Sequence, residues 1–220
     1  LLALPTWMYA KDNDTLYVNL FVGSTVTLDD VAGTSVQVVQ TTDYPWDGHV
    51  TIAVNPAKAR KFTLKIRVPD RSVSTCYTNT PDANGITSIS VNGAAVTLTM
   101  SKGYAVMTRT WQAGDRIELI LPLSVQRVNA SDHVQADKGR VALQYGPLIY
   151  NIEAVDHEPA DLNGLTLSPD AALTVQWDGS LLGGVTVIKG TFTDGTALTA
   201  IPNYVRNNRG GRSIVWIREN

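Results

Sequence analysis

Cysteine occurs once in this 220-residue chain, at Cys76, and histidine three times. A single cysteine forms no internal disulfide, so stability has to come from packing. His49, His133 and His157 lie 84 and 24 residues apart, which fits neither a zinc finger nor a His-Glu-x-x-His metal site. Aromatic residues make up 7% of the chain. No apolar run approaches the roughly 18 residues of a membrane-spanning helix, and Leu1 to Ala10 carry no basic region of the kind that opens a signal peptide. Charge of one sign is also scarce. With 18 basic against 20 acidic residues and a net charge of −2, nothing draws the chain to nucleic acid or to an anionic membrane.

Motifs of nucleophilic or phosphate chemistry are missing too. No serine stands in a Gly-x-Ser-x-Gly elbow, and Gly183-Gly184 and Gly210-Gly211 are isolated pairs rather than phosphate cradles. Asp12-Asn13-Asp14 starts like a calcium loop, but Tyr17 stands where the loop needs glycine. Asn13-Asp14-Thr15 and Asn129-Ala130-Ser131 match the glycosylation acceptor pattern, which is too short to carry weight. Cys76 sits in a strand-like stretch without a neighbouring histidine, and such cysteines are expected in the core.

What is present is alternation. Leu16, Val18, Leu20 and Val22 share one face, as do Val50, Ile52 and Val54, then Phe62, Leu64, Ile66 and Val68, then Ile117, Leu119 and Leu121. Period two with one wet face per strand is the pattern of antiparallel sheets. Asn92-Gly93, between Ser88-Ile89-Ser90-Val91 and Ala95-Val96-Thr97-Leu98-Thr99, is a hairpin signature. Asp47-Gly48, Asn84-Gly85, Asn163-Gly164, Asp178-Gly179 and Asp194-Gly195 supply further turns.

Helix is nearly excluded: Asn55 to Arg60 has room for one turn behind Pro56, and Leu1 to Pro5 reads as the tail of a helix in a longer chain. The stretch from Asp156 to Asp170 reads as a long loop or a poorly paired edge, and Ser213 to Ile217 as a last strand. The fold class that results is all-β, two antiparallel β-sandwich domains with almost no helix. The first covers residues 1–122 and is completed by a C-terminal strand within 207–220; the second covers 123–206.

Binding chemistry has few candidates. A sugar ring stacks its apolar face on Trp or Tyr, which singles out Tyr44, Trp46, Trp111, Trp177 and Tyr204, although the alternation assigns most of these to the core. Asp43 and Asp47 bracket Tyr44-Pro45-Trp46 as a carboxylate pair beside aromatics. A Pro-containing turn, however, gives no control over a separation that glycoside hydrolysis fixes closely. Tyr44, Trp46, Asp47, Trp177 and Tyr204 are therefore the candidate carbohydrate-binding residues; no catalytic and no metal-ligating residue is assigned.

Several segments together carry a resemblance: Asp14 to Phe21, Tyr44-Pro45-Trp46-Asp47-Gly48, Phe62 to Pro69, Gly103-Tyr104 with Trp111 to Asp115, Gly139-Arg140-Val141-Ala142-Leu143-Gln144-Tyr145-Gly146-Pro147-Leu148, Ile201-Pro202-Asn203-Tyr204 and Asn208-Arg209-Gly210. In this order they resemble the C-terminal part of the β-L-arabinofuranosidase family of glycoside hydrolases, family 127. The resemblance implies a bacterial parent enzyme of the cytoplasm or periplasm that degrades plant polysaccharide. Its N-terminal (α/α)6 barrel would use a cysteine nucleophile on zinc, held by further cysteines and a glutamate. Cys76 matches none of those ligands, so no cofactor is assigned to this chain. The implied partner is the catalytic barrel of the same polypeptide, with carbohydrate and a second copy of the chain as further candidates. An accessory scaffold, a carbohydrate-binding module and a complete enzyme of unknown type are the three functions left open.

Overall fold

The computed structural model describes residues 3–70, 76–79, 84–157 and 161–220. The chain forms two compact units, Leu1–Asp70 with Asn84–Pro122, and Arg71–Ala83 with Leu123–Asn220. A short helix α1 (Leu4–Met8) is followed by strands β1 (Tyr9–Asp12), β2 (Thr15–Val18), β3 (Ser24–Val31), β4 (Thr34–Thr42), β5 (His49–Pro56) and β6 (Arg60–Arg67). The chain then leaves the first unit to form β7 (Tyr77–Asn79). It returns as β8 (Ser88–Val91), β9 (Ala94–Ala95), β10 (Thr99–Ser101), β11 (Tyr104–Trp111) and β12 (Asp115–Ile120).

In the first unit the strands form two sheets, ordered β1-β2-β6-β11-β10 and β3-β4-β5-β12-β8-β9. Their inner faces are the alternating residues of the sequence. Leu16, Val18, Val50, Ile52, Val54, Leu64, Ile66, Ile117 and Leu119 are wholly inaccessible and merge into one core. Trp111 sits there as well, fully buried, its Nε1–H donating to the Phe62 carbonyl at 3.2 Å. That removes Trp111 from the stacking candidates. One pairing in this unit departs from the antiparallel expectation: β2 runs parallel to β6, with Leu16 opposite Leu64.

Local chemistry explains most turns. Asn92 and Gly93 adopt φ of 53° and 78°, and the hairpin closes with Val91 opposite Ala94, the geometry of a two-residue turn with both centres left-handed. Ala32-Gly33 and Lys102-Gly103 make the same turn, with alanine and lysine where asparagine is usual. The helical turn expected over Asn55 to Arg60 is absent. Instead β5 runs through Pro56, which pairs with Val36, and the Ala57 N–H donates to Ser35 O at 2.8 Å. Pro5 lies in the first turn of α1, a position that needs no backbone N–H.

The second unit contains β7 and then β13 (Val125–Ala130), β14 (Arg140–Tyr145), β15 (Leu148–Glu153), β16 (Thr166–Leu167), β17 (Thr174–Asp178), β18 (Val185–Thr191), β19 (Ala197–Pro202), β20 (Ser213–Ile214) and β21 (Ile217–Glu219). Its main path runs β16-β21-β14-β15-β19-β18-β17, with β13 joining β14 to β7 and β20 on β15. The hinge of this path is β15: its start pairs with β14 and its end with β19, so one strand links two layers around a core of Val141, Leu143, Tyr150, Ile152, Ile188 and Ile217. Of the two readings of 156–170 its described residues fit the poorly paired edge: β16 lies at the end of the path and pairs in parallel with β21 over two residues, with Leu162, Leu165 and Leu167 buried in that core.

The C-terminal strand corrects the expected domain composition. Within 207–220, β20 and β21 pair with β15, β14 and β16, so they complete the second unit and not the first. The reason is side-chain chemistry that alternation does not register. Glu219 accepts Arg127 Nη1–H at 2.8 Å and Asn129 Nδ2–H at 3.1 Å, both from β13, and Arg140 donates to Trp216 O at 3.0 Å.

Candidate functional site

In the first unit, the turn after β4 carries Tyr44, Trp46 and Asp47. It is closed by Trp46 and Asp47 N–H groups donating to Asp43 O at 2.8 and 3.2 Å, and by the His49 N–H donating to Asp47 Oδ1 at 2.6 Å. Tyr44 is half-buried, its ring edge-on to Phe21 with centroids 6.1 Å apart. Trp46 is half-buried too, while Asp43 and Asp47 are exposed. Both carboxylates line an open depression with Thr41, His49, Thr51 and Arg116, and Arg116 is already committed to Glu118 and Thr51. Both carboxylates are open to solvent in this unit, so the turn offers hydrogen bonds at a surface.

In the second unit, Trp177 on edge strand β17 is 55% exposed and Tyr204, in the 3-10 turn Asn203–Val205 after β19, is 59% exposed. Burial was the expectation for both, and it fails for different reasons. β17 lies at the end of its sheet, so its residues overhang the core; Tyr204 follows the last residue of β19, where alternation has ceased to apply.

The second unit also holds a polar cluster that sequence reasoning missed. Glu153, 1% exposed, accepts the Asn207 N–H on Oε1 at 2.7 Å and Arg209 Nε–H and Nη2–H on Oε2 at 3.0 and 2.8 Å. Arg209 also donates to both carboxylate oxygens of Asp156. These bonds hold the guanidinium above its already high ordinary pKa, the bond to Asp156 contributing most. The imidazole of His157, likewise 1% exposed, touches Glu153 O at 2.7 Å through Nδ1 and accepts the Thr199 N–H on Nε2 at 3.3 Å. With one ring nitrogen on Glu153 O and the other on the Thr199 N–H, this histidine is a structural link between β15 and β19. The only sequence signal was Asn208-Arg209-Gly210, whose partners lie 53 to 56 residues away.

Cys76 is exposed and not in the core. It immediately precedes β7, a short strand whose register with β13 begins at Tyr77, and its carbonyl accepts the Ser131 N–H at 2.7 Å. Among the described residues no three His, Cys, Asp or Glu side chains converge as a metal site. No helix among the described residues is long and apolar enough to cross a membrane.

Comparison with known proteins places these units. Residues 15–123 match the model of the β-L-arabinofuranosidase GH127 middle domain, and residues 125–218 that of the glycoside hydrolase family 127 C-terminal domain. The chain belongs to glycoside hydrolase family 127. Within that family it is 35% identical, over 162 residues, to the non-reducing end β-L-arabinofuranosidase of Bifidobacterium longum, matching 69% of this chain and 22% of that protein. Among solved family 127 structures, a β-L-arabinofuranosidase from Geobacillus stearothermophilus superposes with a TM-score of 0.85 at 35% identity, over 99% of this chain and 36% of that one. A GH127 β-arabinofuranosidase superposes with a TM-score of 0.90 at 28% identity, over 99% of this chain and 37% of that one. The chain thus corresponds to the middle and C-terminal region of proteins about three times its length.

Proposed function

We propose that this chain is the non-catalytic accessory region of a glycoside hydrolase resembling β-L-arabinofuranosidases, and that it scaffolds the catalytic barrel of the same polypeptide. The observation that carries the scaffolding role is the face of α1. Of its five residues only Met8 is buried, while Trp7 is 64% and Leu4 40% exposed, with Val22 also 40% exposed in the same unit. Large apolar side chains presented on a helix mark a surface that another element covers. Covering Trp7 and Leu4 contributes roughly 2–3 kcal/mol. The matches to middle and C-terminal domain models, in relatives much longer than this chain, support a catalytic domain as the covering partner.

The test compares two proteins, the 220-residue chain and a polypeptide that also carries the barrel. Leu4→Ser with Trp7→Ser should leave the stability of the chain alone within about 0.5 kcal/mol, yet lower the unfolding temperature of the longer protein. Equal effects in both would overturn the docking role. The chain alone should leave aryl β-L-arabinofuranosides intact in the presence of zinc and reductant; turnover there would refute its non-catalytic character.

A further inference from the structure

The second unit contains a groove of about 480 Å3 between edge strand β17 and the pair β13–β14. On one side Leu173 and Val175 line it, two residues apart and therefore on one face, and Trp177 continues that face at 55% exposure. On the other side stand Ser124, Val125, Arg127 and Tyr145, with Val125 and Tyr145 directly opposite in the ladder.

Three properties of this groove define its ligand. First, the indole is supported by its own hairpin. A Cβ on Gly184 would approach Trp177 Cζ2 to 2.5 Å and Cη2 to 3.1 Å, and Gly184 has φ of +108°, so glycine both makes the turn and leaves room for the ring. Asp178 Oδ1, accepting from the Ser180 N–H, Ser180 Oγ and Leu181 N–H, fixes the same turn. Second, the groove is electrically neutral. Its one charged side chain among the described residues, Arg127, is paired with Glu219 at 2.8 Å and also donates to Ser168 O at 2.8 Å, so no uncompensated charge among them awaits an anion. Third, Ser124 lines the groove while its Oγ, turned inward, makes no hydrogen bond among the described residues, so rotation about χ1 would turn the hydroxyl toward a ligand that supplies a partner.

A supported aromatic ring, apolar walls, a neutral field and an unsatisfied hydroxyl suit a ligand with apolar C–H faces and many hydroxyls. We infer that this groove is a binding site for a neutral glycan chain, with Trp177 as the stacking platform at its mouth. The inference does not rest on the docking role of α1, which belongs to the other unit.

The test titrates the 220-residue chain with short neutral arabino-oligosaccharides, following indole fluorescence and heat, with an acidic oligogalacturonide as charged control. Saturable binding of the neutral glycan is expected, weakened about tenfold or more by Trp177→Ala and abolished by Val175→Arg, which fills the groove and charges it. Tyr204→Ala, outside the groove, should change nothing. No saturation below about 10 mM, a preference for the acidic control, equal weakening by Tyr204→Ala, or binding only of an extended peptide along the β17 edge would each overturn it. Circular dichroism of each variant separates lost binding from lost folding, and failure here would leave the docking experiment unaffected.

Discussion

Arg209→Met isolates the polar cluster at the root of the 203–212 segment. In the native unit Glu153 Oε2 has two donors, both from Arg209, at 3.0 and 2.8 Å, while Oε1 keeps the Asn207 N–H. The substitution leaves a carboxylate that is 1% exposed with one of its three hydrogen bonds and without its cation. Charge-assisted bonds contribute about 1.5–3 kcal/mol each, and breaking a buried pair from one side costs about 3–5 kcal/mol. The second figure governs, because the two bonds share one acceptor oxygen and one guanidinium. The bonds to Asp156, whose side chain is 18% exposed, add about 1 kcal/mol at most. A loss of about 3–5 kcal/mol is a large part of the roughly 5–15 kcal/mol that holds a domain, and it should appear in urea unfolding as a lower midpoint with unchanged slope. Replacing both partners, Glu153→Leu with Arg209→Met, removes the stranded charge and should recover at least half of the loss, and Arg209→Lys should fall between. A loss below about 1 kcal/mol for Arg209→Met, or a double variant as unstable as the sum of the singles, would refute the view that this charge pair fixes the loop.

Two further outcomes follow from single residues. Asp115 is 9% exposed; burial raises its pKa, but hydrogen bonds from Asn92 Nδ2–H and the Gln112 N–H, with Arg109 nearby, outweigh burial and set it below the ordinary 3.8. A depressed carboxylate contributes stability that is full above the unfolded value and is lost as pH falls through the folded one. Melting temperature in the wild-type chain should therefore drop below about pH 4, and Asp115→Asn should flatten that drop; an unaltered slope would contradict it. Tyr150 Oη is buried without a hydrogen-bond partner among the described residues, and burial, aided by Tyr145 and Tyr204, pushes its phenol well above the usual range. Tyr150→Phe should thus be neutral or stabilising by up to about 1 kcal/mol in urea unfolding, whereas a clear loss would show that the hydroxyl is engaged.

Much of the fold was legible because strand alternation is a local property. Leu16 to Val18, Val50 to Val54, Phe62 to Ile66 and Ile117 to Leu119 point inward as their spacing requires, and Asn92-Gly93 turns where its backbone tolerance permits. The errors fall where the outcome depends on distant partners. Cys76 reads as a core residue in isolation, but β7 is a short strand laid against β13 and leaves it in solvent. Trp177 reads as buried by alternation, yet a strand at a sheet edge has no neighbour to cover it.

By itself, then, the sequence determined the all-β class, the near absence of helix, the faces of the long strands and the lack of a metal or nucleophile spacing, since each follows from residues a few positions apart. Only the tertiary structure decided that β20 and β21 complete the second unit, that Glu153, Asp156 and Arg209 meet, and that Trp177 stands supported over Gly184 beside a neutral groove. Those results depend on which strands become neighbours. That is settled by hydrogen bonds and charge pairs between residues tens of positions apart, which no local pattern records.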